Sequence, residues 1–96
     1  MQSAILTLIY RINLESVGNP DFNQNPNKPI SPETYTVSGT FLNASLACRK
    51  YITYYELGGG NWVGGQVYDG LNDDKQVAYV SYNGRVWDMN GKEIKI

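Results

Sequence analysis

The chain has no histidine and one cysteine, Cys48. Those two scarcities exclude imidazole general bases, zinc sites of the usual Cys/His type and any internal disulfide. Charge of one sign is missing too: eight basic residues face nine acidic ones, a formal net charge of −1. With no field to steer it onto duplex nucleic acid or anionic lipid, the chain is expected to bind neither. Long apolar runs are lacking as well, since the stretch from Ala4 to Tyr10 covers only seven residues. Met1-Gln2-Ser3 before it has no basic character, and no small-residue cleavage site follows. The chain therefore reads as cytoplasmic and complete at its N-terminus.

Glycine and tyrosine are plentiful instead. From Gly58 to Gly65 the sequence is Gly-Gly-Gly-Asn-Trp-Val-Gly-Gly, which sets Trp62 in a backbone that few side chains restrain. Glycine admits positive φ and lets another backbone or a ligand come close, while the indole adds a wide apolar face with one donor. The eight tyrosines offer contact area and a hydrogen bond at low entropic cost. Both features point to recognition more than to chemistry.

Ninety-six residues make one domain, burying over roughly 60 % of its unfolded surface. Leu6, Leu8, Tyr10, Ile12 and Leu14 are apolar at every second position, so Ala4 to Leu14 is expected to be a strand inside the sheet. Residues 15–33 carry four prolines among asparagines and form a long loop whose large apolar side chains are Phe22 and Ile30. Thr34 to Ser38 alternates as a short strand. Phe41, Ala44, Cys48, Tyr51, Ile52 and Tyr55 fall in one stripe at 100° steps, which predicts a helix over 40–57 with Thr40 as N-cap and Gly58 as the left-handed C′ residue. Leu42 and Leu46 lie off that stripe and call for a second contact, either with the long loop or with another chain.

Gln66 to Tyr68 and Lys75 to Tyr82 read as strands separated by an Asp/Asn turn. Asn83-Gly84 then marks a type I′ hairpin into Arg85 to Met89, and Asn90-Gly91 repeats the device before Glu93. Within Lys75 to Tyr82, Tyr79 should share a face with Val77 and Ser81, opposite Ala78, Val80 and Tyr82. The pattern predicts an α+β fold: one small domain spanning 1–96, an antiparallel sheet of about five strands with one helix on one face, in the order β-β-α-β-β-β.

Candidate chemistry is sparse. Asp69, Asn72, Asp73 and Asp74 cluster oxygens without the alternating ligand spacing of a calcium loop, and read as a solvated turn. The glycines follow a helix and precede a strand, the wrong end for a phosphate cradle. Cys48 sits on the apolar stripe with no base to activate it. No metal, cofactor or enzymatic activity is expected.

The residues expected to bind are Asn61, Trp62, Tyr68, Tyr82, Arg85 and Trp87 from the aromatic C-terminal half, with Phe22 on the loop and Leu46 on the helix. Two functions suit them. In the first, the chain is an inhibitor or adaptor that engages another protein, by analogy of size and composition with small accessory or antagonist proteins of phages and bacteria. In the second, Asn61, Trp62 and nearby tyrosines stack a planar ligand such as a nucleotide. An exposed sheet edge also admits a homodimer.

Overall fold

The computed structural model describes residues 9–20, 23–71 and 73–96. Among these residues seven elements follow one another: β1 (Tyr10–Leu14), β2 (Thr34–Ser38), α1 (Phe41–Tyr54), β3 (Gln66–Asp69), β4 (Lys75–Val80), β5 (Val86–Asp88) and β6 (Glu93–Ile94). The strands form one antiparallel sheet ordered β2-β1-β3-β4-β5-β6. The sixth strand is the short β6. As the alternation predicts, β1 lies inside the sheet, and the N-terminal part of its expected span, residues 4–8, is outside the described residues. Because β2 and β3 both run antiparallel to β1, they are parallel to each other, and α1 is the crossover that carries the chain over β1.

Alternation decides what the sheet buries. Ile12 and Leu14 on β1, Val67 on β3, Ala78 and Val80 on β4 and Val86 on β5 meet Ala44, Cys48, Tyr51 and Ile52 of α1 in one core. Tyr10 stacks on Phe41 at 4.7 Å between ring centroids and closes its rim. The residues between them, Arg11, Asn13, Tyr79 and Trp87, project from the opposite face, where no element packs among the described residues. Val77 departs from the expected grouping with Tyr79. A register shift between Val67 and Tyr68 interrupts the β3–β4 ladder, and Val77 packs partly buried against the core.

The helix starts as its sequence dictates, with the Thr40 hydroxyl accepting from Asn43 N at 3.0 Å. Its end differs from expectation. Glu56, not Gly58, takes the left-handed conformation, with φ of 53°. Leu57 N donates to Ile52 O at 2.9 Å and Glu56 N to Thr53 O at 3.2 Å, the two bonds of a Schellman cap. Leu57 is buried just past the turn, so core packing places the cap two residues before the first glycine. A side chain in this conformation is strained, and Glu56→Gly is therefore expected to raise the stability of the chain by about 0.5–1 kcal/mol in urea unfolding.

Both Asn-Gly pairs do turn the chain, but neither makes a type I′ turn. Gly84 and Gly91 have φ of 87° and 81°, whereas Asn83 and Asn90 keep negative φ. Gly84 N donates to Ser81 O and Ser81 N to Arg85 O; likewise Gly91 N donates to Asp88 O and Asp88 N to Lys92 O. Each loop is therefore three residues long, a type I turn followed by a left-handed glycine. The residue before each loop reinforces it. Asp88 Oδ1 accepts from Asn90 N and Lys92 N, and Ser81 Oγ donates to Asn83 Oδ1.

The long loop docks through polar groups. Ser16 forms a bridge with Trp62, Val17 N donates to Asn61 O and Gly18 N to Lys28 O. Ser16, Ser31 and the Tyr51 hydroxyl form a buried chain that ends on Pro32 O, which the Tyr51 hydroxyl reaches at 2.6 Å. Ile30 stays exposed, and Phe22 lies outside the described residues.

Candidate functional site

The glycine-rich segment joins the two halves of the sheet. Gly65 N donates to Asn13 O at 2.7 Å and Gly65 O accepts from Val80 N at 2.8 Å, so one residue bonds to the end of β1 and the end of β4. The backbone that glycine admits here belongs to the chain itself. Trp62 lies half-buried over this junction, donating from Nε1 to Val80 O at 3.1 Å, with its ring 6.0 Å from that of Tyr51. Asn61 is buried: Oδ1 accepts from Gly58 N, and Nδ2 donates to Val17 O and Gln24 Oε1. Its amide holds the loop to the glycine turn.

A cleft of about 340 Å³ opens beside Trp62, with Gly59, Gly64, Tyr79 and Tyr82 among its walls. The Tyr82 hydroxyl donates to Leu57 O at 3.2 Å, and the Arg49 guanidinium lies 5.2 Å from the Tyr82 ring centroid. Of the expected binding residues, then, Trp62 and Tyr82 share one cleft. Trp87 and Tyr68 lie instead on the open sheet face, Trp87 paired across strands with Tyr79 and Tyr68 with Arg11. Trp87 Nε1 donates to Ser81 Oγ at 3.0 Å, and the Arg11 guanidinium sits 4.6 Å from the Tyr68 ring centroid while pairing with Asp74 at 2.7 Å. Arg85 is exposed at the Asn-Gly loop.

Leu46 stands apart from all of these, on the outer face of α1. There Leu42 is 50 % exposed, Leu46 57 % and Tyr54 77 %. Leu46 and Tyr54 line a shallow depression with Arg49, Lys50 and Thr53. Tyr54 was not among the residues singled out from sequence, though its position off the apolar stripe, beside two leucines already there, was a readable signal. Arg49, at the rim of this depression, also donates to Tyr82 O.

The acidic segment between β3 and β4 has a structural role. Asp69 Oδ1 accepts from Leu71 N, Asp73 and Asp74 adopt left-handed φ, and Asn72 lies outside the described residues, an arrangement that makes a turn. Among the described residues no three His, Cys, Asp or Glu side chains converge as metal ligands, and no helix is long and apolar enough to cross a membrane. Burial pushes the Cys48 thiol up to about 12. Both the raised pKa and the burial protect the thiol, so at pH 8 alkylation of Cys48 is expected to be much slower in the folded chain than in the urea-unfolded chain, as iodoacetamide labelling read by mass will show.

Comparison with protein families, curated proteins and solved structures finds no match.

Proposed function

We propose that this chain is a small non-enzymatic binding protein, an inhibitor or adaptor that engages another protein through the outer face of α1. The observation that carries this reading is the ridge of Leu42 and Leu46, half-exposed at i and i+4 beside Arg49 and Lys50. The core closes without either leucine, so neither is needed to hold the helix on the sheet. A helical face with apolar anchors and a cationic rim suits a hydrophobic groove on a partner. The near-neutral charge favours a protein over duplex nucleic acid, and the single buried thiol suits a cytoplasmic setting.

Capture from cell extract followed by chemical crosslinking tests the reading. A stoichiometric protein partner is expected on the wild type and absent from Leu46→Glu, with the two chains melting within a few degrees of each other, since an exposed substitution shifts stability by about 0.5 kcal/mol or less. A partner retained equally by both rejects this face.

The cleft beside Trp62 favours a second reading, capture of a small planar ligand. Its volume and its aromatic walls, Trp62, Tyr79 and Tyr82, support stacking, although the Trp62 N–H and the Tyr82 hydroxyl already bond to the chain's own carbonyls. Native mass spectrometry decides: an added few-hundred-dalton species (about the size of a nucleotide) lost in Tyr79→Ala would support it, and a bare chain would reject it.

A further inference from the structure

The two edges of the sheet are built differently. At one end, β6 is two residues long and flanked by Lys92 and Lys95, the short, charged kind of edge that resists pairing. At the other end, β2 is five residues of Thr-Tyr-Thr-Val-Ser with no charge, no proline and no bulge in its register with β1. Such an edge is a ready template for another strand.

The direction of its free backbone groups follows from β1. Asn13 O and Ile9 O accept bonds on the side of β3, from Gly65 N and Gly70 N. The odd residues of β1 thus turn their backbone groups toward β3 and the even ones toward β2. Thr34, Thr36 and Ser38, opposite Leu14, Ile12 and Tyr10, are bonded inward. Tyr35 and Val37 present their N–H and C=O groups to the outside, and their side chains, 61 % and 60 % exposed, stand on the open sheet face.

We propose that β2 is a self-association edge, where two copies of this chain pair β2 with β2 antiparallel about a two-fold axis beside Thr36. The strand is its own complement in that register. Tyr35 of each copy lies opposite Val37 of the other, both residues with outward-facing backbone groups, so four inter-chain hydrogen bonds form without disturbing the ladder to β1. Each tyrosine ring also gains a β-branched neighbour across the strands. Registers centred on Tyr35 or Val37 place one pair beyond the strand, and registers centred between residues set outward groups against inward ones. Because the axis is perpendicular to the sheet, both helices lie on the same face. The groove of about 380 Å³ between α1 and β2, lined by Thr36, Ala47, Lys50 and Tyr54, then faces its copy, and the most exposed aromatic of the helix gains cover.

The mass in solution and the register test this together. Wild type is expected at twice the 10.8 kDa chain mass in sedimentation equilibrium across a concentration series. Val37→Pro deletes an outward N–H and no β1 bond, so it is expected at the single-chain mass with an unchanged far-UV circular dichroism spectrum. Thr36→Cys meets its own copy at the axis, where the non-hydrogen-bonded pair spaces Cα atoms at about 4.5 Å, within disulfide reach, and is expected to form a covalent dimer on mild oxidation. Thr34→Cys, opposite Ser38 of the other copy, is not. A single-chain mass for wild type, a dimer that survives Val37→Pro, or equal linking by Thr34→Cys would overturn the proposal. Leu46→Glu is expected to leave the mass unchanged, which separates this edge from the helix face.

Discussion

Replacement of Gly65 by alanine is expected to remove about 3–5 kcal/mol of stability, a large share of the roughly 5–15 kcal/mol typical of a domain. Gly65 has φ of 95°, where an L side chain is strained, and a Cβ built there falls 2.1 Å from Val80 O and 3.2 Å from the Trp62 ring. The first obstacle is backbone and cannot swing aside. To make room, Gly65 must retreat from Val80, yet its own N–H and C=O are what connect Asn13 to Val80. The strain, the lost bonds and the displaced indole therefore act together. Gly91→Ala is the control: its φ of 81° is similarly left-handed, but nothing lies within 4 Å of the added atom, and a loss of about 1 kcal/mol is expected. Urea unfolding of the two variants separates close approach from conformation, and equal losses would show that φ alone explains both glycines.

Trp62→Ala is expected to lower stability by about 3–4 kcal/mol. The indole is partly buried against the core, near Tyr51 of the helix, and its far edge touches the space over Gly64 and Gly65. Truncation opens a void at the junction of helix, glycine segment and sheet, and leaves Val80 O without the Trp62 N–H donor. Trp62→Phe restores much of the ring without the donor, so a loss of about 1–2 kcal/mol is expected there. Thermal unfolding of the pair checks the partition. A melting temperature unmoved by Trp62→Ala would mean that the ring serves a ligand and not the fold. The result also governs any binding assay at the cleft, because a ligand lost on truncating Trp62 cannot be distinguished from a loosened fold unless Tyr79→Ala gives the same loss.

What was legible in the sequence is what a short window carries. The period-two pattern that ends in Ile12 and Leu14, the helical stripe of Ala44, Cys48 and Ile52, the Thr40 cap and the position of both Asn-Gly turns follow from local geometry and from side chains bonding their neighbouring backbone. These fixed an α+β domain with β1 interior to an antiparallel sheet. The outer Leu42 and Leu46 were visible too, because a helical wheel needs only spacing.

Tertiary structure decided everything that depends on which atoms meet across long separations in the chain. Glu56 takes the left-handed cap in place of Gly58 because Leu57 is drawn into the core, and burial outweighs the conformational ease of glycine two residues later. A bulge opposite β3 turned Val77 from its expected companion Tyr79 toward the core. Trp62 was legible as important, but only the approach of Val80 assigns its N–H to the fold. Nor did any local feature of Thr34 to Ser38 reveal that it lies at the edge, since strand order is set by pairing between residues far apart in sequence, and so the exposure of Tyr35 and Val37 belongs to the fold and not to the composition of the strand.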